Sequence, residues 1–327
     1  AGPAAAVLRG GGGVRRAGVL PAVGLRRACA IRAVGGGPVP RDTGIGESLF
    51  VARMSLIAPT WIVSDPHRLA ASAMRMARWL LRRRGFRLPP LAALRGMTFV
   101  RTGAWMPGVP RSLSLRALCR RGARLAVPQV PLALTAPAVI VCTSGTTGAP
   151  NAVVHTRQSM DAVLHAVGAP LALHACDVMY GRELHVVLPT LLAGAIVLLS
   201  RRSSFSPRRV VADLERHGAT CWFGVTSDCQ RLAEYCRARG TRLPAALRQL
   251  VISSAPVRAP FLRRLQDVLA PTTRVSCVYG LTELLPAAFI DLEDKLAYAG
   301  EGDRVGSPAP GVVARLSTSG ELLLRGS

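Results

Sequence analysis

Short apolar runs alternate along the chain with stretches in which apolar residues recur at helical spacing. Strands are predicted at Thr60 to Val63, Thr98 to Arg101, Ala138 to Cys142, Ala195 to Leu199, Cys221 to Gly224, Leu250 to Ser253 and Val275 to Tyr279. Helices are predicted at Arg157 to Val167, Pro207 to His217, Ser227 to Arg239 and Ala259 to Leu269, with Ser206 and Thr226 as caps, and a further helical stripe (Leu69, Ala73, Met76, Leu80) begins at His67. Repeated strand–helix alternation implies an α/β fold whose mostly parallel sheet carries helices on its faces and binds ligands beyond the carboxyl ends of its strands. The last segment, Val312 to Leu316 and Glu321 to Leu324 around Ser317 to Gly320, reads as a β-hairpin.

No such periodicity is sustained before about Asp42. Residues 1–41 contain no acid and no serine and hold two glycine runs, Gly10 to Gly13 and Gly35 to Gly37, so little order is expected there and one globular domain over 42–327. Arg-rich and acid-free composition suits a transit peptide, but the missing serine argues against one, and no apolar core with a cleavage site marks a secretory signal.

Charge adds a question about partners. The chain of 327 residues has 42 basic and 18 acidic side chains, a formal charge of +24, and Lys295 is its single lysine. Residues 1–150 hold 22 arginines and 3 acids (Asp42, Glu47, Asp65). A GC-rich coding sequence gives such a bias whatever the function. A nucleic-acid binder would add stacking aromatics or a reading module; aromatics are 5% and no module is present, so no specific nucleic-acid partner is expected and the arginines read first as a solvated face.

The eight cysteines include no Cys-x-x-Cys pair, which excludes the usual zinc site and disulfide scaffold and suits mostly buried thiols in a reducing, cytoplasmic compartment. The longest apolar stretch, Leu184 to Leu199, is interrupted by His185, Pro189 and Thr190, so no transmembrane segment is expected.

The chemistry concentrates in Val139 to Asn151, where an apolar strand runs into Thr143-Ser144-Gly145-Thr146-Thr147-Gly148-Ala149-Pro150 and then a second strand, Ala152 to His155. Glycines at 145 and 148 let backbone N–H groups turn toward an anion, and four hydroxyls (Thr143, Ser144, Thr146, Thr147) add donors. A phosphate-cradling loop and a plain Gly/Thr hairpin turn both fit the residues taken alone. It is not a Gly-x-x-x-x-Gly-Lys-Ser/Thr loop, because no lysine is near.

In these residues the chain resembles the adenylate-forming enzymes, the AMP-dependent synthetases and ligases that include acyl-CoA synthetases, luciferase and peptide-synthetase adenylation domains. Thr143 to Pro150 match their signature Thr-Ser-Gly-Thr-Thr-Gly-x-Pro; Tyr279-Gly280-Leu281-Thr282-Glu283 match Tyr-Gly-x-Thr-Glu; Ser253-Ser254-Ala255-Pro256 resembles the adenine loop, and Gly320-Glu321-Leu322 with Gly326 resembles a further marker. The resemblance covers about Asp42 to the carboxyl end. It implies layered βα subdomains, a small β-rich carboxyl-terminal segment, and ATP-driven activation of a small-molecule carboxylic acid to an acyl adenylate, with coenzyme A as the usual acceptor. It further implies that Thr143, Ser144, Gly145, Thr146, Thr147 and Gly148 hold the β- and γ-phosphates, that Thr282 contacts the α-phosphate and that Glu283 ligates Mg²⁺. Tyr279 would stack on adenine, Ser254, Ala255 and Pro256 would line its other side, Gly280 would let the acyl carboxylate approach the backbone, and Leu281 would belong to the same nucleotide-binding segment. The phosphate loop and Glu283 would then share one cleft. Without the resemblance, Glu283 reads as a helix-start carboxylate and Tyr279 as a core aromatic.

Three departures qualify the expectation. Asn151 stands where the family has Lys or Arg, which predicts weaker nucleotide binding. The sequence stops at Ser327, before the family's ribose-binding Asp and its mobile carboxyl-terminal domain with a catalytic lysine, so a partial large domain with impaired turnover is expected; Lys295, in a polar stretch read as surface, is not that lysine. The family's Pro-x-x-His element is replaced by Tyr180-Gly-Arg-Glu-Leu-His185 ahead of an apolar segment, Val186 to Leu199, which suits a fatty acyl chain or simply a buried helix and strand; His185 is a candidate for the acyl entrance or a packed core histidine. The stretch Tyr279 to Pro286, with Tyr298 to Gly306, resembles fatty acyl ligases and β-lactone synthetases more than amino-acid-activating domains. Competing expectations are a non-catalytic nucleotide- or acyl-binding remnant and an Arg-rich binder of nucleic acid or anionic surfaces. Oligomeric state and acyl identity are not legible.

Overall fold

A computed structural model describes residues 6–9, 47–83, 88, 90, 96–123, 133–143, 151–199 and 205–326. The chain forms two compact units, one of residues 30–156 and one of residues 1–29 with 157–327. The first strand, β1 (Ala6–Arg9), belongs to the larger unit, although residues 1–41 carry no sustained period; a four-residue edge strand is too short to show one.

The smaller unit contains α1 (Glu47–Ile57), β2 (Trp61–Ser64), α2 (Pro66–Ala73), α3 (Arg75–Arg83), β3 (Thr98–Arg101), β4 (Ser112–Ser114), α4 (Leu115–Gly122), β5 (Pro137–Thr143) and β6 (Asn151–Thr156). Strands β2, β3 and β4 form a parallel sheet. The single helix predicted from His67 is two, because Met74 takes an extended conformation (φ −95°, ψ 118°) that ends α2. Of that stripe only Leu69, in α2, is buried, packing with its neighbour Ala70 against Val109, whereas α3 buries nothing. Asp65 starts α2 by accepting the Arg68 N–H, with Pro66 fixing the first turn. Strands β5 and β6 pair antiparallel on either side of the candidate phosphate loop, with Thr143 opposite Asn151.

The larger unit continues with α5 (Arg157–Leu171), β7 (Val178–Tyr180), α6 (Leu184–Leu192), β8 (Ile196–Leu199), α7 (Pro207–His217), β9 (Cys221–Val225), α8 (Thr226–Arg237), β10 (Gln249–Ser253), α9 (Ala259–Gln266), β11 (Arg274–Leu281), β12 (Leu284–Asp291), α10 (Leu292–Ala297) and β13 (Ser307–Pro308), then the hairpin β14 (Val313–Leu316) and β15 (Leu322–Arg325). Its sheet runs β1-β8-β7-β9-β10-β11-β12-β13. From β8 to β11 neighbouring strands are parallel; β1, β12 and β13 pair antiparallel at the two edges. The expected mostly parallel α/β sheet and the small β-rich end are present.

Period-two alternation sorts the side chains of this sheet into two buried layers. Trp222, Leu250, Ile252, Val275 and Cys277 face α7, α8 and α9 through Leu214, Leu232 and Leu262. Cys221, Phe223 and Val251 face the other way, onto Val167 and Leu171 of α5 and Val186 of α6. The apolar segment Val186 to Leu199 is therefore a buried helix and strand, with Val186, Val197 and Leu198 fully covered. Helix α7 has the predicted bounds: Ser206 precedes it, Pro207 fits its first turn, and Gly218 closes it in the left-handed region at φ 58°.

Two side chains differ from expectation. Lys295 is buried rather than at a polar surface: its ammonium donates to Asp303 Oδ1 and the Arg304 carbonyl, both at 2.6 Å, so the charge is paired as it leaves water. Among the described cysteines all are free thiols; Cys221, Cys229, Cys236 and Cys277 are buried and Cys176 is exposed. Burial pushes the thiols of Cys221 and Cys277 up, to about 11 and about 12 respectively, which keeps them protonated and unreactive. No helix among the described residues is long and apolar enough to cross a membrane.

Candidate nucleotide and acyl site

The larger unit's candidate residues gather at the carboxyl ends of β9, β10 and β11. In-register parallel pairing sets Ser253 beside Val225 and Ile252 beside Cys277, so β9 and β10 end at one level and β11 runs on past them through Tyr279, Gly280 and Leu281. Ser254, Ala255 and Pro256 follow β10 as an exposed loop, and Tyr279, Gly280 and Leu281 form the last residues of β11.

Thr282 and Glu283 are the two turn residues between Leu281 and Leu284, which pair across the β11–β12 hairpin. Glu283 is exposed at this tip and does not start a helix, contrary to the reading without the resemblance. The register slips between Tyr279 and Leu281, and Gly280 sits in that irregularity. A Cβ at Gly280 would lie 2.6 Å from Leu285 Cδ1 and 3.2 Å from the Leu284 carbonyl, so a side chain there fits only if the end of Leu285 moves aside.

Hydroxyl groups tie the strand ends together. Thr226 Oγ1 lies 3.2 Å from the Ser253 carbonyl and 3.0 Å from the Ala255 carbonyl. Ser253 Oγ donates to the Val278 carbonyl at 3.0 Å. Thr226 thus does not act as the expected cap: Val225 holds that position and Thr226 is the first helical residue. Sequence reasoning missed its tertiary role; the available signal was a hydroxyl placed directly after a buried strand.

In the smaller unit, Thr143 ends β5 and its carbonyl accepts from Arg53 Nη2 at 3.1 Å. The remaining loop candidates, Ser144, Gly145, Thr146, Thr147 and Gly148, lie outside the described residues.

Beneath the β10–β11 ends is an apolar pocket lined in part by Leu171, His185, Phe223, Val251, Val278 and Phe289. The His185 ring meets Phe223 edge-on, with centroids 5.1 Å apart, and its buried Nε2 has no hydrogen-bond partner. Burial lowers its pKa, opposed by the Glu183 carboxylate, so the imidazole is neutral.

For a metal, no cluster of three or more His, Cys, Asp or Glu side chains exists among the described residues. Glu283 is a single exposed carboxylate, which fits Mg²⁺ if substrate phosphates supply the other oxygens, as is usual for that ion.

A mostly parallel sheet flanked by helices on both faces defines a doubly wound α/β class, in which ligands bind beyond the carboxyl ends of the strands. Residues 96–326 match the family described as AMP-binding enzyme, and the chain belongs to that family, within the adenylate-forming superfamily. No curated protein matches the chain. Among solved structures it is similar to a malonyl-CoA ligase in a ternary product complex with methylmalonyl-CoA and AMP, at 27% identity and TM-score 0.65 over 91% of this chain and 59% of that one. VinN is similar at 22% identity and TM-score 0.64, over 90% of this chain and 68% of that one. The Bacillus subtilis O-succinylbenzoate coenzyme A synthetase, in complex with ATP and magnesium ion, shares the fold at 16% identity and TM-score 0.65, over 93% of this chain and 58% of that one. The chain thus spans between about three fifths and two thirds of the lengths of these proteins.

Proposed function

We propose that this protein binds ATP and takes part in joining it to a carboxylic acid, giving an acyl adenylate and pyrophosphate, with coenzyme A as the subsequent acyl acceptor. One observation carries the reading: the Ser254–Pro256 loop and the Tyr279–Glu283 tip emerge from neighbouring strands of one sheet and are joined by the Ser253–Val278 hydrogen bond. Family membership supports the same reaction class.

Attack of a carboxylate on the α-phosphate asks the protein to hold two anions together and to stabilise moving charge, with little covalent work. Tyr279 would stack on adenine, opposite Ser254, Ala255 and Pro256. Gly280 and Leu281 would offer backbone to the acyl carboxylate, and the Thr282 hydroxyl would donate to the α-phosphate. Thr143 and the loop Ser144 to Gly148 would hold the β- and γ-phosphates. Glu283 would hold Mg²⁺, whose charge offsets that of the phosphates when it is bound.

The acid proposed is apolar. Its tail would enter the pocket of Phe223, Val251, Val278 and Phe289, with neutral His185 at the wall. The free space enclosed there is about 10 Å³, room for roughly one water molecule, so entry of any acyl group requires these side chains to move. Pyrophosphate exchange into ATP, driven by a series of straight-chain acids from two to sixteen carbons, tests the reading. Exchange driven by apolar acids of this series is expected; ATP binding with no exchange for any acid would reduce the protein to a nucleotide binder, and absence of ATP binding would sink the proposal.

A further inference from the structure

Beneath the exposed loop 254–256 lies a buried hydroxyl network with no evident role in holding helix α8. Thr226 and Ser253 are only 4% and 6% exposed, whereas Ser254, Ala255 and Pro256 are open to solvent. The Thr226 hydroxyl has a single proton and two carbonyls within reach, those of Ser253 and Ala255, on either side of Ser254. Ser254 is itself held at φ 80°, in the left-handed region that a residue with a Cβ adopts only when its surroundings enforce it. The Thr226 hydroxyl sits between the two carbonyls that flank this strained residue.

The same loop is fixed sideways. Ser253 Oγ reaches the Val278 carbonyl, one residue before Tyr279. One chain of hydrogen bonds therefore runs from α8 through the loop after β10 to the end of β11. It links the loop that carries Ala255 to the backbone directly before Tyr279, beyond the last paired residues of the β10–β11 ladder.

We infer that Thr226 and Ser253 are positioning residues that fix the width of the adenine slot without touching nucleotide. This rests on the proposed nucleotide reading. A base sandwiched between two walls gains from contacts on both faces, and a displacement of half an ångström to one ångström forfeits a large part of such a contact. Triphosphate held elsewhere on the nucleotide is indifferent to that width. The network thus governs affinity for the base and leaves affinity for the phosphates alone.

The test uses the full chain and four proteins: unmodified, Thr226→Val, Thr226→Ser and Ser253→Ala. Each is titrated with ATP and, separately, with inorganic tripolyphosphate, and each is checked for folding by circular dichroism. Thr226→Val is expected to weaken ATP binding about 5- to 10-fold, the worth of one lost buried hydrogen bond, while Thr226→Ser stays within about twofold of the unmodified protein. Tripolyphosphate affinity is expected to be unchanged in all four. Equal ATP affinity in a folded Thr226→Val protein would overturn the inference, as would a parallel loss of ATP and tripolyphosphate, the mark of a purely structural role. If Thr226→Val does not fold, Ser253→Ala carries the same comparison. Failure of the unmodified chain to bind ATP overturns the nucleotide reading instead.

Discussion

Arg248 grips the Asp177 carboxylate at both oxygens, Nε to Oδ1 at 2.9 Å and Nη2 to Oδ2 at 2.5 Å, at the end of the sheet opposite the candidate site. Thr220 donates to Oδ1 at 2.7 Å and the His174 N–H to Oδ2 at 2.7 Å, so a 3% exposed carboxylate has all its acceptors used. Asp177, Thr220 and Arg248 directly precede β7, β9 and β10, and their interaction aligns the amino ends of three parallel strands.

The acid stability of the fold follows from that pair. Burial by itself would push the Asp177 carboxyl up, but the hydrogen bonds from Arg248, Thr220 and His174 outweigh it and hold the group at about 2, below its ordinary 3.8. A lowered folded pKa gives stability that is fully present above 3.8 and is lost as pH falls toward 2, on the order of 2 kcal/mol in all. Arg248→Met is expected to destabilise the protein at pH 7 by about 2 kcal/mol or more, discounted because Arg248 is itself 36% exposed, and to remove much of this acid-dependent loss. Urea unfolding at several pH values reads both effects; equal stability of Arg248→Met and the unmodified protein at pH 7 contradicts the argument.

A second, separate pH window belongs to His185. Its pKa is lowered chiefly by burial, so as pH falls below the ordinary 6.5 the unfolded chain takes up the proton before the folded one. Stability is present above that value and declines as pH falls through the folded pKa. Melting temperature is expected to drop between pH 7.5 and pH 5, and His185→Phe, which keeps an aromatic ring against Phe223, should flatten the drop. An unchanged slope in His185→Phe would assign the decline to other groups.

Gly280 and Gly306 separate a functional from a structural constraint. At Gly306, φ is 96° and a Cβ would meet the Phe289 carbonyl oxygen at 1.8 Å, a backbone atom with no room to yield, so Gly306→Ala is expected to cost at least about 2 kcal/mol of stability. At Gly280 the nearest atom, 2.6 Å away, is the end of the Leu285 side chain, which can turn aside. Gly280→Ala should therefore fold with a modest loss of melting temperature while ATP affinity and pyrophosphate exchange fall clearly. A variant at 280 that melts early and binds ATP normally would reverse this assignment.

Much of this architecture was legible in the chain because the physical signals were local. The strands β9 and β10 alternate between two buried faces, and α7 begins at Ser206-Pro207 and ends at Gly218, where the chain needs a left-handed residue. Strand β12 has no sequence signal, since Leu284-Leu-Pro-Ala-Ala-Phe-Ile lacks alternation and contains a proline, yet it pairs with β11 on both sides of the irregularity at Gly280. Lys295 was misread because its sequence neighbours are acidic, whereas its burial is decided by Asp303 and the Arg304 carbonyl beyond the helix. For the candidate site, it was the family resemblance, not the residue types alone, that named the Tyr279–Glu283 and Ser254–Pro256 segments, and the bridging by Thr226 depends on strand order, which no local pattern records.

Asn151 gives the last prediction, and Arg53 tempers it. Asn151 pairs opposite Thr143 where the sequence resemblance expects a cation, and the Arg53 guanidinium is anchored on the Thr143 carbonyl, with its Nε buried and unpartnered. A positive charge therefore already stands at the root of the candidate phosphate loop. Added charge at about 4 Å contributes roughly 1 kcal/mol in water and up to about 4 at an effective dielectric near 20. With Arg53 present, Asn151→Lys is expected to tighten ATP binding toward the lower of these values, about fivefold. In an Arg53→Met background, ATP affinity should fall first, and the same Asn151→Lys change should then restore a larger factor. Calorimetric titration of the four proteins with ATP measures this directly, and an equal or absent gain in both backgrounds would show that Arg53 does not substitute for the missing lysine.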